Sequence, residues 1–190
     1  ETEEIQSIFF GPLGPLAKAE MIAFHIPADL SRAARREWLA FLLERTSFGN
    51  QLPPERAMIT LLGPDGLRRL GLGERPGDDR LDGFPAAFRQ GMATEARSRV
   101  LDDIGKSAPE RWAWGSQEKP VDVAVICYAR SYETLDADIQ SLMHAADKAG
   151  VRRVAQLPLE IRREGRHAVE HFGFADGISQ PIVRGTPRAN

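Results

Sequence analysis

One apolar segment, VDVAVICYA at residues 121–129, constrains the fold of this chain more than any other feature. Its β-branched residues and near-continuous apolar character predict a buried central strand. The segment after it predicts the clearest helix of the chain, which starts at Thr134 or Asp136 and ends at Gly150, a typical C-terminal cap. Residues 151–157, VRRVAQL, predict a further strand. A β-α-β unit is therefore expected over this part of the chain.

A second unit of the same kind precedes it. Residues 20–27, EMIAFHIP, predict a strand that stops at Pro27, a helix capped by Asp29 or Ser31 follows, and residues 57–62 predict the next strand. Residues 73–119 are rich in glycine, proline and aspartate, which indicates a long insertion with one short helix around 92–103. Two β-α-β units predict an α+β, ferredoxin-like split βαβ fold, an antiparallel sheet with both helices on one face.

Composition excludes several classes of protein. The 190 residues are 42% hydrophobic and 27% charged, which is typical of a globular domain and not of a disordered or collagen-like chain. The net charge of −2 gives no electrostatic reason to expect nucleic acid as a partner. The apolar segments are too short to span a bilayer, and a single cysteine excludes an internal disulfide. Because the chain begins at Glu1 and not at Met, removal of a leader stays open.

The segment HAVEH at residues 167–171 matches the H-x-x-E-H pattern of inverted zinc proteases. In such a zinc hydrolase His167 and His171 would bind the metal from one face of a helix, and Glu170 would activate water. Glycines flank the segment closely at positions 165 and 173, which disfavours a stable helix. A glycine-bounded loop or strand is the favoured interpretation, and zinc is the weaker alternative.

Three further groups of residues have both a chemical and a structural interpretation. Cys127 lies within an apolar strand, so a buried, inert thiol is expected and not a nucleophile. Trp112 and Trp114 are expected in the core or at its rim, with a redox role as the alternative. A dense group of arginines predicts a solvated face, and contact with ligand carboxylates is the alternative; it comprises residues 152, 153, 162, 163 and 166.

Asp176 is the strongest candidate for chemistry. It is followed by Gly177, and an Asp-Gly pair favours a tight turn. Its neighbours Phe172, Phe174 and Ile178 are apolar, however, and a carboxylate in apolar surroundings tends to have a raised pKa and can exchange protons near neutral pH. Glycines on both sides would let a flat ligand approach the backbone. A tight turn and an acid/base site beside a ligand therefore both remain open.

The stretch FGFADGISQP resembles the signature of the dye-decolourising peroxidases, a haem-dependent family. The G-x-x-D-G motif of that family stands here as residues 173–177, and the similarity continues through Pro181. Three other segments are similar in the same order along the chain, namely EIQSIFF at 4–10, TLLGPDGLRRLGL at 60–72 and FPAAFRQGM at 84–92.

The resemblance implies a division of the chain and a site. Residues 1–160 would form the ferredoxin-like domain with its insertion at about 73–119, and residues 161–190 the distal haem-pocket loop and the start of a connection to a C-terminal domain. Asp176 would act as acid and base in cleavage of the O–O bond of hydrogen peroxide, while dyes, phenols or similar reductants are oxidised. The haem-binding residues implied in this chain are Gly173, Phe174, Gly177, Ile178, Ser179 and Gln180.

The resemblance also implies what this chain lacks. The cofactor would be haem b, bound jointly with a C-terminal half that supplies the axial histidine and a distal arginine, as a separate chain or a further segment. The chain would represent one half of a dimeric α+β barrel and would be inactive alone. Members of the family include cytosolic, exported and shell-packaged proteins, so the cytoplasm is favoured only slightly, and a homo-oligomer stays open. The alternative function is a non-catalytic ferredoxin-like binding or structural domain, or a degenerate half without haem.

Overall fold

The structure, a computed structural model, describes residues 2–11, 13–49, 53–73, 77–165 and 167–175. The strands are β1 (Lys18–His25), β2 (Arg56–Leu62), β3 (Val123–Ala129), β4 (Arg152–Leu159), β5 (Arg163–Glu164) and β6 (His167–Ala168). The helices are α1 (Arg32–Arg45), α2 (Pro64–Arg69), α3 (Ala86–Gln90), α4 (Glu95–Leu101) and α5 (Tyr132–Ala149). Single 3-10 turns occupy Thr2–Glu4, Ser7–Phe9, Arg80–Gly83, Gly105–Ser107 and Pro109–Arg111.

The two long helices both begin at serine caps. The Ser31 hydroxyl accepts a hydrogen bond from the Ala34 N–H at 3.2 Å, and the Ser131 hydroxyl accepts one from the Thr134 N–H at 3.2 Å. Helix α5 therefore begins at Tyr132, ahead of the predicted start at Thr134 or Asp136, because Ser131 satisfies a free N–H of its first turn. Gly150 closes α5 in the left-handed conformation with φ of 78°, as predicted.

The four long strands form one antiparallel sheet in the order β2-β3-β1-β4. Helices α1 and α5 both lie against one face of this sheet, which confirms the predicted ferredoxin-like α+β fold. The core between them includes Phe24 from β1, Trp38 from α1 and Leu142 from α5, all 1% exposed or less. The Phe24 and Trp38 rings meet edge to face with their centroids 5.3 Å apart.

The opposite face of the sheet is also apolar, and we call it the open face. Paired residues of neighbouring antiparallel strands point to the same side, so the registers define its cross-strand rows. The three rows are Leu157-Met21-Ile126-Ile59, Ala155-Ala23-Ala124-Leu61 and Leu159-Ala19-Tyr128-Ala57. Among the described residues, Leu13 and Leu16 cover the part around Ile59 and Tyr128. Leu61 and Leu159 remain 47% and 37% exposed.

A long insertion between β2 and β3 is closed at its base by Asp122. The Gly63 N–H donates to the Asp122 carbonyl at 3.0 Å, which joins the first residue after β2 to the last residue before β3. The Asp122 side chain is fully buried, and its Oδ2 accepts the Ile26 N–H at 2.7 Å. Arg69 Nε of α2 lies 3.3 Å from Oδ1, and His25 Nδ1 of β1 lies 2.8 Å from Oδ2. One carboxylate thus joins the insertion to two strands of the sheet.

Helix α2 of the insertion packs so closely against the backbone of Asp122 that position 66 can hold only a glycine. A Cβ atom on Gly66 would lie 2.0 Å from the Asp122 carbonyl oxygen. A separate contact holds the next turn, where Asp78 accepts hydrogen bonds from Arg80 Nε at 2.7 Å and from the Gly73 N–H at 2.8 Å. The Arg80 guanidinium, with the Gly73 N–H, holds the pKa of Asp78 well below its usual range.

Within the described residues, no helix has the length and apolar character needed to cross a bilayer.

Substitution of Asp122 by alanine is expected to loosen the insertion before the sheet. It leaves the Ile26 N–H and two basic side chains without their carboxylate, and loss of one partner of a buried charged group costs about 3–5 kcal/mol in free energy of unfolding. We expect amide hydrogen exchange to increase across residues 63–121, with a smaller increase in β1 and β4.

Asp138→Ala is the matched control, because Asp138 is another nearly buried carboxylate, bonded to Arg56 at 2.7 Å, but it belongs to α5. That variant is expected to destabilise α5 without singling out the insertion. Equal exchange profiles for the two variants would contradict the assigned role of Asp122.

Candidate functional site

The candidate site lies at the end of a short segment that follows β4 and folds back on itself twice. We call this segment the hairpin and its three extended stretches its legs. The first leg is β5, the middle leg runs from β6 through Glu170, and the third leg is Phe174 and Ala175. Gly173 and Phe174 of the predicted site are placed by the structure. Asp176 lies outside the described residues, as do the predicted haem-binding residues Gly177, Ile178, Ser179 and Gln180.

Backbone hydrogen bonds fix the hairpin on both sides of its middle leg. Strand β5 pairs with β6 through Arg163 with Ala168 and Glu164 with His167. Beyond this ladder the Val169 N–H donates to the Arg162 carbonyl at 3.0 Å. On the other side Val169 forms an antiparallel bridge with Ala175, the residue that precedes Asp176. The chain therefore enters Asp176 from a paired backbone position.

Gly173 serves the turn that connects the second leg to the third. Its N–H donates to the Glu170 carbonyl at 2.9 Å, and the Glu170 N–H donates to the Phe174 carbonyl at 2.8 Å. Gly173 has φ of +84°, a conformation that other residues adopt only with strain. No described atom lies within 4 Å of a Cβ placed there, so the backbone conformation, and not crowding, is the reason for glycine.

The end of the hairpin exposes apolar side chains. Phe172 and Phe174 are 85% and 71% exposed, and Ile161 at the base of the hairpin is 44% exposed. A cavity of about 370 Å³ lies between Ile161 and Phe172 and is lined mainly by hairpin residues. Large aromatic side chains normally bury most of their surface, so this patch fits contact with a further apolar group.

The HAVEH segment does not form the helix that a zinc protease needs. Residues 167 and 168 are strand β6, residue 169 is bridged, and residues 171 and 172 form a turn. The spacing that would place both histidines on one helical face is therefore not realised, and a strand followed by a turn is found, as the favoured interpretation predicted. Among the residues that the structure describes, no cluster of three metal-binding side chains occurs.

The arginine group separates into residues with different contacts. Arg162 donates from Nη1 to the His171 carbonyl at 3.0 Å and lies 3.3 Å from Glu164. Arg153 donates to the Gln156 side chain at 2.5 Å, and Gln156 in turn donates to Glu20 at 2.7 Å. The sequence does not reveal which arginine of the group contacts the hairpin turn, because it presents all five as one dense group of the same residue type.

The structure also places the remaining candidates. Trp112 is half-buried and donates from its indole N–H to the Ser107 carbonyl at 2.8 Å, while Trp114 is 38% exposed. Cys127 is 1% exposed, and burial, with smaller contributions from Asp138 and Glu20, raises the pKa of its thiol to about 12. Sequence reasoning missed Asp122, although an acidic residue at the start of the apolar segment VDVAVICYA was a usable signal.

Comparison with known proteins gives a result only at the level of structure. No family model and no curated protein matches the sequence. A dye-decolourising-type peroxidase from Anabaena sp. superposes with a TM-score of 0.78 at 16% identity, over 94% of this chain and 39% of that one. An ancestral D-type dye-decolourising peroxidase gives 0.74 at 25% identity, over 97% and 40%.

A third dye-decolourising peroxidase, solved as a complex with 2,6-dimethoxyphenol, gives a TM-score of 0.68 at 21% identity, over 95% of this chain and 39% of that one. The chain thus spans about two fifths of the length of the peroxidases it resembles. The resemblance expected from the sequence is confirmed for the fold, which is the ferredoxin-like fold found in the dye-decolourising peroxidases.

Cys127 is expected to be unreactive in the folded protein. With its thiol pKa raised to about 12, almost no thiolate is present at pH 8, and burial blocks access as well. We expect no modification by iodoacetamide over hours at pH 8 and stoichiometric modification after unfolding in guanidinium chloride. Rapid labelling of the native chain would show an accessible thiol and revive a nucleophilic role.

Proposed function

We propose that this chain is the distal half of a haem peroxidase that reduces hydrogen peroxide and oxidises an organic reductant. The observation that carries the proposal is the combination of the shared fold with the G-x-x-D-G motif at the end of the paired hairpin. The fold alone supports many activities, so the motif and its supporting backbone are what favour this one.

The described side chains of the site are suited to contact an apolar face of haem. Phe172 and Phe174 are largely exposed, Ile161 lies at the base of the same hairpin, and the space around Gly173 is open. Haem is a flat and mostly apolar cofactor, so these side chains match its surface. Gly173, Phe174, Gly177, Ile178, Ser179 and Gln180 are the residues of this chain that we propose contact it.

Three histidines have side chains that the structure describes. His25 is largely buried beside Asp122, while His144 and His171 are exposed on α5 and on the hairpin turn, and neither His25 nor His144 lies among the apolar side chains of the candidate site. We therefore propose that the axial histidine and a distal arginine come from a C-terminal half. That half would be a separate chain or a further segment of the same protein.

The chemistry assigned to this chain is proton transfer. Haem, when bound, supplies the electrons that reduce hydrogen peroxide and recovers them from the organic reductant. Asp176 accepts a proton from one oxygen of hydrogen peroxide and returns it to the other, so that the O–O bond breaks with loss of water. The neighbours of Asp176 in the sequence are apolar, and a carboxylate that apolar groups desolvate can exchange protons near neutral pH.

The class of reductant follows from the comparisons and not from a described pocket. One of the similar peroxidases was solved with 2,6-dimethoxyphenol, and the others are described as dye-decolourising. We propose dyes, phenols or similar aromatic reductants for this protein on that basis.

The open face supports the proposed partner half. Its three rows contain only apolar residues and tyrosine, and the described N-terminal segment covers only part of them. A sheet with an uncovered apolar face gains free energy by packing against a second sheet, at about 25 cal/mol per Å² of apolar surface buried. We therefore propose that the C-terminal half packs on the open face and completes an α+β barrel.

Asp176→Asn and Asp176→Ala in the haem-loaded, full-length protein are expected to slow the reaction with hydrogen peroxide by about 10²- to 10⁴-fold. The reason is that neither side chain can accept the proton. The rate is measured by stopped-flow absorbance of the haem after mixing with peroxide. Asp147→Asn, an exposed carboxylate on α5, is the control and is expected to react at the parent rate. Parent-like rates for both Asp176 variants would remove Asp176 from the mechanism.

Assembly with the C-terminal half tests both the partner and the alternative of a domain without haem. The mixture of the two halves is expected to bind haem with a Soret band, whereas this chain alone is not. Met21→Glu places a charge in the middle of the open face and is expected to abolish assembly, measured by analytical ultracentrifugation. Leu43→Glu, at a 56% exposed position of α1, is the matched control. Assembly without haem uptake would favour the structural domain.

A further inference from the structure

Arg162 joins three parts of the hairpin that precedes Asp176. Its carbonyl accepts the Val169 N–H at 3.0 Å, and its Nη1 donates to the His171 carbonyl at 3.0 Å. Its Nη2 lies 3.3 Å from the Glu164 carboxylate. Arg162, the residue just before the first leg, therefore contacts the middle leg through its backbone and the turn beyond it through its side chain.

The turn that Arg162 contacts has little other support. Phe172 and Phe174 are largely exposed, so side-chain packing contributes little to holding this turn among the described residues. The contacts that hold it are backbone hydrogen bonds between Glu170 and Gly173 and between Glu170 and Phe174, together with the Arg162 guanidinium. A segment with so few buried contacts opens locally at low cost in free energy.

The third leg of the hairpin leads directly to Asp176. Ala175 is held by its bridge to Val169, and Val169 is held in turn by the Arg162 carbonyl. The path of contacts from Arg162 therefore ends one residue before the proposed acid/base. A small displacement of a reacting group can reduce a rate strongly, because proton transfer requires close and aligned atoms.

We propose that Arg162 is a positioning residue for Asp176, an inference that rests on the proposed function. Its guanidinium holds the turn at His171, and the third leg that follows this turn ends at Ala175, the residue before Asp176. Arginine suits this role because its planar fork presents two N–H donors to two acceptors at once, which a lysine cannot do with the same geometry.

The neighbouring Arg163 provides the comparison. It belongs to β5 and pairs with Ala168 through the backbone, but no side-chain bond from it to the hairpin turn occurs in the described part of the chain. Its side chain lines a separate cavity near Lys18 and Tyr132. The two adjacent arginines thus have the same charge and different contacts.

The experiment uses the haem-loaded, full-length protein with Arg162→Ala, Arg162→Lys and the control Arg163→Ala. Hydrogen exchange of the peptide that spans residues 167–175 measures the hairpin, and stopped-flow mixing with peroxide measures the chemistry. Loss of one charge-assisted hydrogen bond at an exposed site is expected to change both by about two- to tenfold. Arg162→Lys is expected to restore part of each loss, and Arg163→Ala is expected to change neither.

The same substitution in the Asp176→Asn background separates positioning from general damage. If Arg162 acts through Asp176, Arg162→Ala slows the parent protein and has no further effect on Asp176→Asn. An equal slowing in both backgrounds would show a merely structural role and overturn the inference. Unchanged hydrogen exchange in Arg162→Ala would overturn it as well.

The outcomes also distinguish this inference from the function on which it rests. A slow Asp176→Asn variant with a normal Arg162→Ala variant would leave the proposed function intact and remove Arg162 from it. A parent-like rate for Asp176→Asn would overturn the proposed function, and the positioning role would be overturned with it.

Discussion

A sheet that is apolar on both faces must be covered on both faces, and this constraint governs the rest of the molecule. Helices α1 and α5 cover one face and bury Phe24, Trp38 and Leu142 almost completely. On the other face, within the described part of the chain, Leu13 and Leu16 cover Ile59 and its neighbours. Leu61 and Leu159 on this face remain 47% and 37% exposed, and this exposure is the physical argument behind the proposed partner half.

The insertion between β2 and β3 raises a different physical problem, because a long excursion must return to the sheet in register. The backbone contact between Gly63 and Asp122 closes it, and the buried carboxylate of Asp122 binds the end of β1 at Ile26. A buried carboxylate is costly unless its oxygens are bonded. Arg69 approaches it from α2 and His25 from β1, so the insertion and the sheet share one electrostatic contact.

The long elements could be predicted from the sequence because their signals are local. The apolar run at 121–129 and the glycine at position 150 specify β3 and the end of α5 without help from the rest of the chain. The start of α5 was missed because the cap at Ser131 competes with other polar residues nearby. The pairing of Asp122 with residues 25, 26 and 69 could not be predicted, because it depends on contacts between residues far apart in the sequence.

The candidate site shows the same division between local and non-local information. A tight turn is predicted at Asp176, which lies outside the described residues. The structure describes a different turn just before it, at residues 170–173, where Gly173 takes the left-handed conformation. Local sequence could identify the glycine and the exposed aromatic residues beside it. The flanking glycines favoured a loop or strand for the HAVEH segment, but its pairing with β5 and with Ala175 could not be predicted, because local sequence does not specify the partners of a short strand.

The pairing of the middle leg explains how the hairpin combines a specified backbone path with exposed side chains. Its backbone is bonded on one side to the Arg162 carbonyl and on the other to Ala175, so the path of the chain is specified without a side-chain core. The aromatic side chains are then free to present their surface outward, as the exposure of Phe172 and Phe174 shows. The hairpin therefore has a specified backbone path up to Ala175 and an exposed apolar surface at the same time, and the contacts that specify the path are the paired backbone and the guanidinium of Arg162.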